Sequence, residues 1–316
     1  MRLLILTFFM MSSLIAKSIQ SPSAIFKADG GVTDIVYHNS KLYVSTSVGV
    51  VDIFDVKTQK KLKTIKVPKV KNFMGREVNA KIYSVDVLGD KVLLLAQASM
   101  GYREVYIFKN SKLTKVIDAK QKLSIAKAKF LDNKSIILAL LGNDIISYDI
   151  KKQIKNWTTQ ASQSKFSNFA LNEKKSKVVV ADESGDLQII DTKSAKHLQT
   201  LTGQNLDNVF AVDFKNNMIA TAGQDRRAVI YDLSSHSAYY KKSSFLIYGV
   251  GLSPSAKLAA YSSDEKNNVT LFKTTTESNL NIYGQTKMTV TKILFISETQ
   301  FFVASDDKNI NLYTIK

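Results

Sequence analysis

The 316-residue sequence contains no cysteine. That excludes disulfides, haem attachment through a CxxCH motif, cysteine-held iron–sulfur clusters, zinc knuckles and a lipoprotein anchor. Proline is limited to Pro22, Pro68 and Pro254, and tryptophan to Trp157. The histidines His38, His197 and His236 lie far apart, and none has a second histidine or a carboxylate at metal-ligand spacing. Met74, Met100, Met218 and Met288 are scattered, which argues against a copper-binding methionine cluster. No GxSxG elbow, P-loop or dinucleotide fingerprint occurs. "VGLSPS" (Val250–Ser255) reads as the end of a strand entering a Ser-Pro turn rather than as a nucleophile. A long helical periodicity is missing beyond the first residues.

What is present begins with charge. Lys and Arg number 44 against 27 Asp and Glu, a formal +17. The lysines are spread along the whole chain, as on a solvated surface, and form no block of the kind that marks a nucleic-acid stripe. The amino terminus is different. A short basic start, Met1-Arg2, precedes the apolar run "LLILTFFMMSSLIA" (Leu3–Ala16), and Ala16 and Ser18 form a small-x-small pair. That layout predicts a Sec-type signal peptide over residues 1–18, cleaved after Ala16 or Ser18, and hence a periplasmic protein without a stable membrane anchor. A run of 14 apolar residues is too short to span a bilayer comfortably. A cysteine-free chain suits that oxidising compartment, because nothing in it can mispair.

The remaining 298 residues, 19–316, read as short strands rich in Val, Ile, Tyr and Phe between Asn, Asp, Gly, Ser and Lys turns. One marker recurs, an alternating strand that ends in an aromatic or large apolar residue. It appears at Phe54, Phe108, Tyr148, Ile190, Tyr231, Phe272 and Tyr313, with steps of 54, 40, 42, 41, 41 and 41. The fifth unit shows four strand candidates joined by short links: "VFAVDF", "MIATAG", "AVIYDL" and "SAYYKK". Four antiparallel strands in about 40–45 residues are the pattern of a propeller blade, so the expected fold is all-β, a seven-bladed β-propeller. The seventh unit lacks a fourth strand at "DKNINLYTIK". "SAIFKADGG" (Ser23–Gly31) aligns with the fourth strands of other units, so the amino-terminal strand is expected to complete the last blade and close the ring.

"ATAGQDRRAVIYD" (Ala220–Asp232), "VVVADESGDLQIID" (Val178–Asp191) and "FFVASDDKNINLY" (Phe301–Tyr313) resemble the second-to-third strand segment of WD-repeats. The departures are equally visible. The Gly-His dipeptide is missing, with Gly30 followed by Gly31 and Gly203 by Gln204, and the third-strand Trp is replaced by Phe, Tyr or Ile. The family's Ser/Thr–His–Asp–Trp hydrogen-bond set therefore cannot form as usual, and inter-blade apolar packing is expected to hold the ring. The acidic pairs Asp182-Glu183, Asp264-Glu265 and Asp306-Asp307 recur after the second strand and read as turn formers.

The first step exceeds the others by about 13 residues, in keeping with a loop insertion of the kind surface connections tolerate. Much of the excess lies in "KVPKVKNFMGREVNAK" (Lys66–Lys81), and some in the hairpin loop of "AQASMGYREVYIF" (Ala96–Phe108). Lys66, Lys69, Lys71 and Arg76 surround Phe73 and Met74, and Tyr102 and Arg103 lie in the second segment. Cations interleaved with exposed apolar residues make a protein-docking rim, and these eight residues are the candidate partner site. No catalytic residue, metal ligand or cofactor is expected.

"VDIFDV", "KVPKVKNFMGREVNAKIYSVDVL", "KAKFLDN", "YDIKKQ" and "KFSNFALNEKKSKVVVADESG" together resemble the accessory WD-repeat propellers of periplasmic nitrate reductase systems of epsilonproteobacteria, the NapL type. That resemblance implies a helper of nitrate respiration that carries no metal itself and whose partner is a reductase component; a monomer is expected. It transfers no catalytic residues. The alternative is a propeller hydrolase of the lactonase or phytase kind, with a metal in the central tunnel. That reading needs a convergent carboxylate or histidine set on the innermost strands, which the sequence does not advertise. A propeller of the outer-membrane assembly machinery is a third possibility, but such proteins are typically lipid-anchored through a cysteine.

Overall fold

The computed structural model describes residues 18–316. The expected signal peptide lies outside the described residues except for Ser18. Each repeat unit becomes one four-stranded antiparallel sheet, because two-sided apolar alternation gives a strand that must be covered on both faces. Blade five has strands Val209–Lys215, Met218–Gly223, Arg227–Asp232 and Ser237–Lys242, paired in that order. The same order runs through the other blades, and all seven marker residues sit on third strands.

The first strands are the innermost. They are Val32–His38, Ile82–Leu88, Ile125–Phe130, Phe166–Leu171, Val209–Lys215, Val250–Leu252 and Val290–Phe295. Each lies beside the next, and the seventh returns to the first. Seven apolar clusters form the core, one between each pair of neighbouring blades. No single sheet buries both of its faces, so the clusters exist only in the closed ring.

Closure follows the expected route. Ala24–Lys27 pairs antiparallel with the third strand of blade seven, with Phe26 opposite Ile310 and Ala24 opposite Leu312. Phe26 is 1% exposed and meets Phe54 of blade one and Phe302 of blade seven edge-on, at 5.7 and 5.5 Å between ring centres. One aromatic side chain thus joins the two ends of the ring. A further contact was not expected. Ile19–Gln20 adds in parallel to the outer strand of blade six, Asn279–Tyr283, making it five-stranded. Gly284 permits this approach, since a Cβ there would lie 2.5 Å from Ile19 Cγ2. The amino-terminal segment therefore straps two blades rather than one.

Apolar packing is not the whole of the cohesion. In blade five the buried Thr221 hydroxyl donates to Asn205 Oδ1 at 2.7 Å, and Asn205 Nδ2 donates to the Tyr231 hydroxyl at 2.9 Å. Asn and Tyr stand in for the His and Trp of the WD pattern, and a polar stitch forms after all. Asp182 also exceeds its expected role as a turn former. It is fully buried, accepts from Ser184 N within the turn, and accepts from Ser162 Oγ (2.5 Å) and Asn143 Nδ2 (3.1 Å), which link it to blade three's end. Asp264 and Asp307 behave as turn formers, accepting from the backbone of Lys266 and Lys308. Trp157 lies on a fourth strand and donates to the Thr192 carbonyl, a packing role.

Candidate functional site

Antiparallel order sends the loops between second and third strands, and those joining blades, to one face of the ring. Both parts of the extra length in the first step therefore reach the same face. The insert is itself a small hairpin, Val70–Lys71 paired with Glu77–Val78. Asn72 fixes its tip. The Asn72 side-chain oxygen accepts from the backbone N–H groups of Met74 and Arg76, both at 3.0 Å, and its carbonyl accepts from Gly75 N. Gly75 adopts the left-handed conformation that the turn requires (φ 75°). The result displays Phe73 and Met74 outward, 85% and 79% exposed. Met100, 68% exposed, projects from the neighbouring Ser99–Gly101 turn, which lies beside Val70–Lys71.

The eight candidate residues divide. Lys66, Lys69, Lys71 and Arg76 are exposed around the hairpin, and none forms an ion pair among the described residues. Tyr102 is half-buried. Arg103 has a local structural role: its guanidinium donates to the carbonyls of Gly101 and Tyr102 and lies 3.8 Å from the centre of the Tyr83 ring. It pins the long hairpin loop to the mouth of the central channel.

The channel holds a second set of groups. In six blades the pairing of the first and second strands shifts register at the same place, beside Thr33, Tyr83, Ala126, Ser167, Phe210 and Thr291. Such a bulge bends the strand and re-aims the next side chain. Those next residues include Asp34, Lys127, Asn168 and Lys292, which line a channel cavity of about 310 Å³. Asp34 Oδ1 accepts from Lys292 Nζ at 2.5 Å and from Ile35 N at 2.9 Å. Its Oδ2 accepts from Val85 N at 3.1 Å and Lys129 Nζ at 3.2 Å. Burial alone would raise this carboxyl, but the Lys129, Lys292 and Lys127 cations outweigh it and hold Asp34 well below the usual carboxylate range. Lys127 Nζ donates to Asn168 Oδ1 (2.6 Å) and the Phe169 carbonyl (2.8 Å). Burial first, then the Lys129 and Lys292 charges, push its amine down to about 7.

The titratable groups at this bulge are mostly lysines, not the carboxylates or histidines that a tunnel site would need. A signal was there: a charge interrupts the apolar alternation at the third position of "VTDIVYH", "IAKAKF" and "VTKILF". Among the described residues no group of three His, Asp or Glu side chains converges as a metal site.

No protein-family model matches the chain, and no curated protein matches it. Among solved structures 1833 chains match, which makes the architecture a common one that carries no activity with it. One of them is the β-propeller domain of Myceliophteria thermophila Cps50 (Swd1), at 13% identity and a TM-score of 0.74, over 93% of this chain and 99% of that one. The fold is a WD-repeat-like seven-bladed β-propeller. At so low an identity the likeness extends to the fold and no further.

Proposed function

We propose that this protein is a non-catalytic periplasmic propeller that docks a component of a periplasmic nitrate reductase as an accessory factor of nitrate respiration. The observation that carries the docking reading is the pre-ordered hairpin tip, where Asn72 holds Phe73 and Met74 in solvent. A tip backbone that is already ordered loses little further entropy on binding, so the large apolar side chains it displays suit a hot spot. The four unpaired cations around them fit a partner with an acidic rim, and association is expected to slow as salt rises. The choice of reductase as partner rests on the sequence segments that resemble the NapL-type accessory propellers, and the periplasmic location on the amino-terminal sequence. A tunnel hydrolase is the weaker reading. The Asp34 and Asp213 oxygens are taken up by backbone N–H groups or lysines, and an Asp86 oxygen by the Phe130 N–H.

The test is co-purification of the mature chain with the purified reductase subunits, followed by titration calorimetry. The wild type is expected to bind one subunit, and Phe73→Ser with Met74→Ser to weaken that binding at least about tenfold, the scale of one hot-spot side chain. Absence of binding to every reductase component, with unchanged nitrate reduction in a strain lacking the protein, overturns the proposal.

A further inference from the structure

The hydrogen-bonding capacity left over in the central channel consists mainly of donors. Asp34 has four donors around it, two from backbone and two from lysine. Asp213 accepts from Phe214 N and Leu252 N, both at 2.9 Å, and Asp86 from Phe130 N at 2.8 Å. Asn168 Nδ2 donates to the Phe210 carbonyl, and its Oδ1 accepts from Lys127 Nζ and Phe169 N. The acceptors are largely taken up, whereas donors remain. An ammonium carries three N–H groups. Lys127 uses two of them and Lys292 uses one, on Asp34.

We propose that the channel binds a small oxyanion, held by the Lys127 and Lys292 ammonium groups. A multi-oxygen anion supplies several acceptors at once, which a cation cannot. Its charge also offsets the repulsion that the Lys292 and Lys129 cations exert on the Lys127 proton. The space of about 310 Å³ admits an inorganic oxyanion or a short carboxylate. The groups facing Lys127 are the cations Lys129 and Lys292 and the anions Asp34 and Asp86, with Asp213 acting on Lys292. Burial and the neighbouring cations push the Lys127 amine down to about 7, so a bound anion draws a proton onto it, and affinity falls as pH rises above that value. The docking hairpin contributes none of these channel residues.

Titration calorimetry with the sodium salts of nitrate, phosphate, sulfate and malonate, against chloride, tests it. The inorganic and carboxylate arms separate the two sources of such an anion. Saturable binding of at least one oxyanion is expected, with proton uptake at pH 8 visible as a dependence of the heat on the buffer's ionisation enthalpy. Lys127→Met is expected to weaken binding at least tenfold and to abolish that proton uptake. Lys292→Met, which leaves Lys127 in place, is expected to weaken binding several-fold and keep the uptake. Circular dichroism checks that both variants fold. No saturable heat with any oxyanion, or binding unchanged in both variants, overturns the proposal.

Discussion

Replacing Phe26 with alanine opens the ring at its seam without removing a backbone hydrogen bond. The side chain is 1% exposed and wedged between Phe54 and Phe302, at 5.7 and 5.5 Å. Truncating a buried phenylalanine costs about 3–5 kcal/mol through lost burial and the cavity left behind. At roughly 2 °C per kcal/mol in a domain of this size, the melting temperature should fall by about 6–10 °C. Ile25→Ala, on the opposite face of the same strand and 53% exposed, is the control and should change stability by no more than about 0.5 kcal/mol. Deleting residues 21–29 goes further. It removes the pairing with Asn309–Thr314, including Ser23 N to the Leu312 carbonyl (2.7 Å) and Ala28 N to the Lys308 carbonyl (2.8 Å), and leaves a bare sheet edge. Concentration-dependent aggregation should then accompany the loss of stability. Thermal melting by circular dichroism, with light scattering in parallel, reads both effects. A melting temperature within 2 °C of wild type for Phe26→Ala and for the deletion would refute the closure argument.

Two further outcomes follow from the interior. Lys127 is lowered to about 7 in the fold against an ordinary 10.5, so between those values the unfolded chain holds a proton that the folded chain lacks, and stability rises with pH across that window. Lys127→Met should flatten the rise in a pH series of denaturant melts; an unchanged slope would show that the amine is better solvated than its surroundings indicate. Asn205→Ala should cost about 1–3 kcal/mol for each buried group left unpaired at Thr221 and Tyr231, measured by urea unfolding, and a loss below about 0.5 kcal/mol would mean that water replaces the stitch.

Much of the architecture was legible because it repeats. A near-constant step between third-strand markers, two-sided alternation and one unit lacking its outer strand together imply a closed ring, and "SAIFKADGG" carries the strand pattern that completes it. The rim was legible in part. The insert's cations and Phe73 and Met74 could be read from their departure from the period. The role of Asn72 in fixing the tip could not, because it depends on a turn geometry. Arg103 also looked free in sequence, yet it folds back onto Tyr83 and its own loop. The pairing of Ile19–Gln20 with blade six had no signature at all, since two residues show no alternation.

By itself, then, the sequence determined the period, the number of blades and the strand that closes them. These are properties of local alternation and of repetition along the chain. Only the tertiary structure decided which charges meet. Asp34, Lys127, Lys129 and Lys292 lie on strands of the first, third and seventh blades, up to 258 residues apart. The ring brings them to one axis, where poor solvation and mutual proximity set their chemistry. No local pattern encodes that distance, because it exists only after the seventh blade has met the first.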